Sequence, residues 1–106
     1  MPRVKTPALN PPEARRYLGK VPDEVAFWVS DGRVLHDLAE LAAALETMND
    51  DTYAYHANAT KNDFVSWVGD VIGDQTLVTD LARVANRAAA TAAVQTRLAR
   101  LRGVAA

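Results

Sequence analysis

The sequence predicts an α+β fold, mainly α, in which one β-hairpin packs on a cluster of four to five short helices. Three observations lead there. Several segments open on an Asn or Asp and then carry apolar residues at helical spacing. Only one pair of β-branched and aromatic runs is present, joined through Asp31-Gly32. The 106 residues, 49% hydrophobic and 24% charged, suit one domain with the composition of a soluble globular protein and leave no room for a second core. A chain of this size buries roughly two-thirds of the surface its unfolded form exposes.

The stretch from Met1 to Pro12 carries four prolines, each removing a backbone donor, and reads as an extended basic arm. Pro12 suits the first turn of a short helix through Leu18, which Gly19 would end. The run Val25 to Val29 leads through Asp31-Gly32 into Arg33, Val34 and Leu35, a hairpin in which Asp-Gly accepts the positive backbone angles of a tight turn. A hairpin this small needs one face packed on helices. Asp37 with Glu40 forms a capping box for a helix striped by Leu38, Leu41, Ala42, Leu45 and Met48. Asn49, Asp50 and Asp51 offer the next cap, for a helix of two to three turns carrying Tyr53, His56 and Ala57 on one face. Asn62 or Asp63 caps a helix with Phe64, Trp67, Val68, Val71 and Ile72, stopped at Gly73 by a left-handed residue. Asp74 caps a further segment with Leu77, Leu81, Val84, Ala85 and Ala88.

The final stretch is alanine-rich and strongly helical by propensity. In one straight helix Val94, Leu98 and Leu101 would lie roughly a quarter-turn or more from Leu77 and Leu81 at 100° per residue. A break at Asn86 returns both stripes to a common core. Alternatively the terminal helix projects, and its strip of Ala90, Val94, Leu98 and Leu101 faces a partner. The expected organisation is therefore an arm with a short helix over residues 1–20, a hairpin and helical core over 21–85, and a basic C-terminal helix of the same domain over 86–106.

With no cysteine, the chain has no disulfide framework, thiolate zinc site, iron–sulfur cluster or cysteine nucleophile. No apolar run approaches the roughly 18 residues of a membrane span, and the N-terminal residues lack the apolar stretch of a secretory signal, so a cytoplasmic protein with no membrane contact is expected. The net charge of -1 conceals a segregation. Residues 1–20 hold five basic side chains against Glu13, residues 81–106 hold five arginines and no acid, and residues 21–80 hold twelve acids against Arg33 and Lys61. On one reading the basic ends fold back over the acidic body. On another the C-terminal helix, through Arg87, Val94, Arg97, Leu98, Arg100 and Leu101, meets an acidic protein partner or the acidic body of a second copy, giving a homodimer. Nucleic acid is the weaker alternative: the arginines have no aromatic interleaved, and the isoelectric point of about 6.1 is far from the basic signature.

The nineteen residues from His56 to Asp74, HANATKNDFVSWVGDVIGD, concentrate His, Asn, Lys, Asp and Trp as nowhere else in the chain. His56, Asn58, Lys61, Asn62, Asp63, Phe64, Trp67, Asp70, Val71, Gly73 and Asp74 together resemble the signature of an uncharacterised family of small prokaryotic domains, approximately HVN-x-x-KNDF-x-x-WI-x-DV-x-GD. The flanking order of aromatic hairpin and helix is similar, and the resemblance spans Val25 to Val84. The sequence departs at Ala57, where the family has a larger aliphatic residue, and at Gly69, where it has a longer side chain. The resemblance implies a fold; the family has no established activity or catalytic residues, so it implies no chemistry, no cofactor and no catalytic set.

On the residues alone, three chemistries compete. For a metal, His56, Asp63 and Asp70 are suitable ligand types, but the two carboxylates stand two helical turns and about 10.5 Å apart. For acid–base catalysis, His56 beside Asp63 makes an oriented pair with Lys61 as electrophile, while Ser30 and Ser66 are single serines outside any constellation. The third reading is a folding element: His56 and Asn58 satisfy backbone groups of the Asn58–Asn62 connection, Asn62 and Asp63 cap a helix, and Phe64 and Trp67 anchor the core. A recognition surface built from the exposed polar groups, with Trp28 as aromatic contributor, remains beside these, although a strand tryptophan more often faces the core. The expected function is a non-enzymatic protein-interaction or accessory module. The alternatives are a small enzyme using His56 and Asp63, or a weak nucleic-acid binder.

Overall fold

The computed structural model describes residues 9–106; the first eight residues of the arm lie outside the described residues. Helix α1 (Pro11–Leu18) leads through a 3-10 turn (Asp23–Val25) to strands β1 (Phe27–Trp28) and β2 (Val34–Leu35). There follow α2 (Leu38–Thr47), α3 (Asp50–His56), α4 (Asp63–Trp67), a π-helical turn (Val68–Ile72), α5 (Gln75–Arg83) and α6 (Arg87–Ala105). The architecture is the mainly helical α+β fold that the sequence predicts. Among the described residues there are six α-helices, one more than the upper end of the four to five expected.

Each of the six α-helices starts on an Asn or Asp whose side chain accepts the amide three residues on: Asn10 from Glu13, Asp37 from Glu40, Asn49 from Thr52, Asn62 from Val65, Asp74 from Leu77 and Asn86 from Ala89. These are the residue types whose short side chains reach orphan amides of a first turn. At α1 the cap is Asn10, two residues ahead of the Pro12 that marks the helix start in the sequence. The capping box at α2 is also displaced: the Glu40 carboxylate accepts from the His36 N–H at 2.6 Å, one residue before the cap.

The hairpin is antiparallel, with Phe27 opposite Leu35 and Trp28 opposite Val34. Its loop differs from the expected one. The Gly32 N–H donates to the Val29 C=O and the Val29 N–H to the Arg33 C=O, so three residues form the loop. Gly32 alone takes a positive φ, of 104°, a left-handed position that glycine occupies without a Cβ clash.

Helix α6 does not project. It packs on α1 and α2, and Ala90, Val94, Leu98 and Leu101 are buried in one core with Leu38, Leu41, Leu45, Phe64, Val68, Leu77 and Leu81. The break at Asn86 brings the two stripes together, because a helix restarted there has a free choice of phase. Part of the charge segregation is settled within the chain: Lys20 reaches Asp37 and Glu40, Arg87 reaches Asp50, and Arg97 reaches Asp74.

Lys20 and the His36 N–H hold the Glu40 carboxyl at about 2, against an ordinary 4.5. Glu40 therefore stabilises the fold fully above pH 4.5, and that contribution is lost as pH falls toward about 2. Hydrogen bonds to Asp23 and then Glu40 raise His36 above its ordinary 6.5. Its contribution is whole below pH 6.5 and disappears as pH rises through the raised value. Urea midpoints of the wild type and Glu40→Gln should differ most above pH 4.5 and converge toward pH 2; a gap independent of pH would assign Glu40 a different role.

Candidate functional site

His56 closes α3 with its side chain almost wholly enclosed, edge-on to Phe27 at 5.1 Å, Tyr55 at 5.0 Å and Phe64 at 5.5 Å. Its Nε2 accepts the Ser30 N–H at 3.0 Å and its Nδ1 lies 2.9 Å from the Asp63 Oδ2. A backbone amide can only donate, so Nε2 carries no hydrogen there and the Nδ1–H donates to Asp63. Burial pushes the Asp63 carboxyl up, but hydrogen bonds from His56 and Lys61 outweigh it and hold the group below its ordinary value. The ring is thus a strut between the hairpin loop and the start of α4. The expected pair of His56 and Asp63 exists, yet the His56 target is the hairpin amide and not the 58–62 connection, and neither ring nitrogen has a lone pair left for a substrate proton.

Asn58 serves that connection. Its Nδ2 donates to the Ala54 C=O at 2.9 Å, covering the end of α3, and its Oδ1 accepts from the Thr60 N–H and hydroxyl. The Lys61 Nζ donates to Asp63 at 3.0 Å and lies 4.8 Å from the Tyr55 ring centre, so its charge is already shared within the chain. Phe64 stacks on Phe27 and on Tyr53. Trp67 is buried, with its indole N–H donated to the Val25 C=O at 2.7 Å. Among the described residues, no group of three or more His, Asp or Glu side chains is placed to hold a metal ion. Asn62→Ala, which removes the acceptor for the Val65 N–H, should cost about 1 kcal/mol, read as a lowered urea midpoint at unchanged slope.

The expected single helix from Phe64 to Ile72 changes character at Val68, where five residues form a π-helical turn closed by the Gly73 N–H donating to the Val68 C=O. Gly69 marks the change in the sequence: a Cβ there would stand 3.2 Å from the Val78 Cγ2, so its absence admits α5 at close range. Gly73 ends the turn at φ 86°. Asp74, wholly buried, caps α5 and takes both the Arg97 Nε at 2.7 Å and Nη2 at 2.9 Å. This pair joins the end of the motif to α6.

That pairing corrects the reading of the C-terminal helix. Arg97 is buried against Asp74, while Val94, Leu98 and Leu101 lie in the core. Arg87 donates to Asp50 and to the C=O groups of Leu45 and Glu46, closing the end of α2. Of the six residues assigned to a partner face, Arg100 alone is exposed. A core stripe and a docking stripe on a helix have the same sequence spacing, so periodicity could not separate them.

Trp28 is the residue the sequence placed least well. Along β1 the side chains alternate, Phe27 in, Trp28 out and Val29 in, and Trp28 remains 66% exposed. It borders a groove of about 370 Å³ lined by the apolar Phe27, Trp67 and Val71 together with Asp63, Ser66 and Asp70. Asp70 is exposed and meets no cation among the described residues. The signal for Trp28 was present in the strand's period of two: with Phe27 and Val29 facing the helices, Trp28 must face away. No family model matches the chain, and neither a curated protein nor a solved structure matches it.

Proposed function

We propose that this chain is a non-enzymatic protein-interaction module that docks a partner on the groove beside Trp28. The exposed indole carries this reading. Tryptophan buries 150–250 Å² when covered and dominates the energetics of interfaces where it occurs, and here it stands at the lip of an apolar floor formed by the motif's own Trp67 and Val71. The engagement of both His56 nitrogens supports a scaffolding role for the motif's polar residues, which hold β1 against α4 and so shape the groove.

Selection from a displayed library of protein fragments tests it, each binder being re-measured on Trp28→Ala. A 66% exposed side chain contributes little to folding, so the variant should keep its stability within about 0.5 kcal/mol. Binders that lose at least about tenfold affinity on that variant, the loss of an interface anchor, support the proposal. A selection returning only binders indifferent to Trp28, or none, overturns it.

A further inference from the structure

The outer edge of β1 opens into the same groove. The Val29 N–H donates to the Arg33 C=O, and the register places Phe27 opposite Leu35 and Trp28 opposite Val34. Antiparallel pairs alternate between hydrogen-bonded and non-hydrogen-bonded. The pairs 29/33 and 27/35 are therefore bonded ones, and the Trp28 N–H and C=O point away from β2. Among the described residues neither group has a partner. The backbone donors on both sides of this opening are taken: the Ala26 N–H donates to the Asp23 C=O and the Ser30 N–H to His56, while the Val25 C=O accepts the Trp67 indole N–H. One donor and one acceptor are left at the residue whose side chain is left exposed as well.

We propose that the docked partner is an extended peptide segment bearing lysine or arginine, added as a strand opposite Trp28; this rests on the interaction reading above and specifies its ligand. An extended residue opposite Trp28 makes both open backbone bonds, which set its register. Its neighbours alternate faces, so one side chain reaches the Trp67 and Val71 floor while the next reaches Trp28. The choice of a cation comes from charge. Two carboxylates line the groove: Asp63, already engaged by Lys61 and His56, and Asp70, which meets no cation among the described residues. Lys61 and Arg33, the cations of the 21–80 segment, are already held by Asp63 and Asp31. A guanidinium or ammonium stacked on the Trp28 face gains from the indole quadrupole and from Asp70 together. An incoming carboxylate meets repulsion.

The test titrates the full chain with a pool of acetylated hexapeptides carrying Lys or Arg at alternate positions and Val, Leu or Ala between them. Its counterpart carries Glu in place of the cations. Binding is read by Trp fluorescence, and exchange of the Trp28 amide by NMR. The basic pool should bind and slow Trp28 amide exchange by about tenfold or more, while N-methylation of the peptide's central amides should weaken binding by about tenfold. Asp70→Asn, a change at an exposed side chain, should weaken binding severalfold and flatten its salt dependence. Binding that leaves Trp28 amide exchange unchanged overturns the strand addition, and equal binding of the Glu pool overturns the choice of cation. If the basic pool fails while Trp28-dependent binders emerge from the fragment selection, this inference falls and the interaction module stands. If both fail, both fall.

Discussion

Asp74→Ala should destabilise the fold by about 3–5 kcal/mol, the range found when one partner of a buried ion pair is removed. Asp74 is 1% exposed and Arg97 8%. Two of the Arg97 donors meet the carboxylate in a fork, at 2.7 and 2.9 Å, a geometry that a planar guanidinium satisfies without rearrangement. The same carboxylate accepts the Leu77 N–H. Alanine thus strands a buried guanidinium and uncaps α5 at once. The two losses share one side chain, so they are not summed as independent. Asp74→Ala combined with Arg97→Met should recover part of the stability, because an apolar side chain of similar length removes the stranded charge. Urea melts of the wild type, the single variants and the double variant measure this. A double variant no more stable than Asp74→Ala would show that the cap, and not the unpaired cation, carries the cost.

Trp67→Ala should also cost about 3–5 kcal/mol, as a buried aromatic truncation that leaves a cavity. Trp67 packs edge-on against Phe27 at 5.8 Å, and its N–H crosses from α4 to the Val25 C=O. It therefore holds the hairpin, through the end of the 3-10 turn two residues before β1, to the helical core. Trp67→Phe restores most of the bulk and leaves the Val25 C=O without its donor, so its cost should fall to about 1 kcal/mol plus any residual void. The two variants separate packing from hydrogen bonding in a thermal or urea melt. An unchanged midpoint for Trp67→Ala would remove the tryptophan from the core and place it among the surface contacts.

The features legible in the sequence are those governed by neighbours within one turn or one strand. Asp37, Asn49, Asn62, Asp74 and Asn86 could be read as helix starts because a short polar side chain reaches an amide three residues on whatever the rest of the chain does. Gly32 and Gly73 could be read as turn and stop positions for the same local reason. The stripe Leu38, Leu41 and Leu45 determined which face of α2 is buried, and Phe64 and Trp67 determined the inner face of α4. His56 and Asp63 could be recognised as a pair on residue type, but their role could not.

Tertiary structure decided that role, because the second partner of His56 is the Ser30 amide, 26 residues away. No local rule specifies which loop a ring nitrogen will meet once the hairpin has docked. Arg97 finding Asp74 across 23 residues, and Trp67 finding Val25 across 42, depend likewise on how helices cross. The close approach of α5 to Gly69 within the π-helical turn is likewise a matter of ångströms between two packed elements. Whether the strip of Val94, Leu98 and Leu101 would face solvent or core rested on the angle at Asn86, and packing on α1 and α2 chose the core. Short-range sterics and hydrogen bonding settle where helices start, where the hairpin turns and which faces are apolar, so these are legible residue by residue. Which apolar and charged groups satisfy one another, and which, like Trp28 and Asp70, are left facing outward, follows from packing between elements distant in the chain.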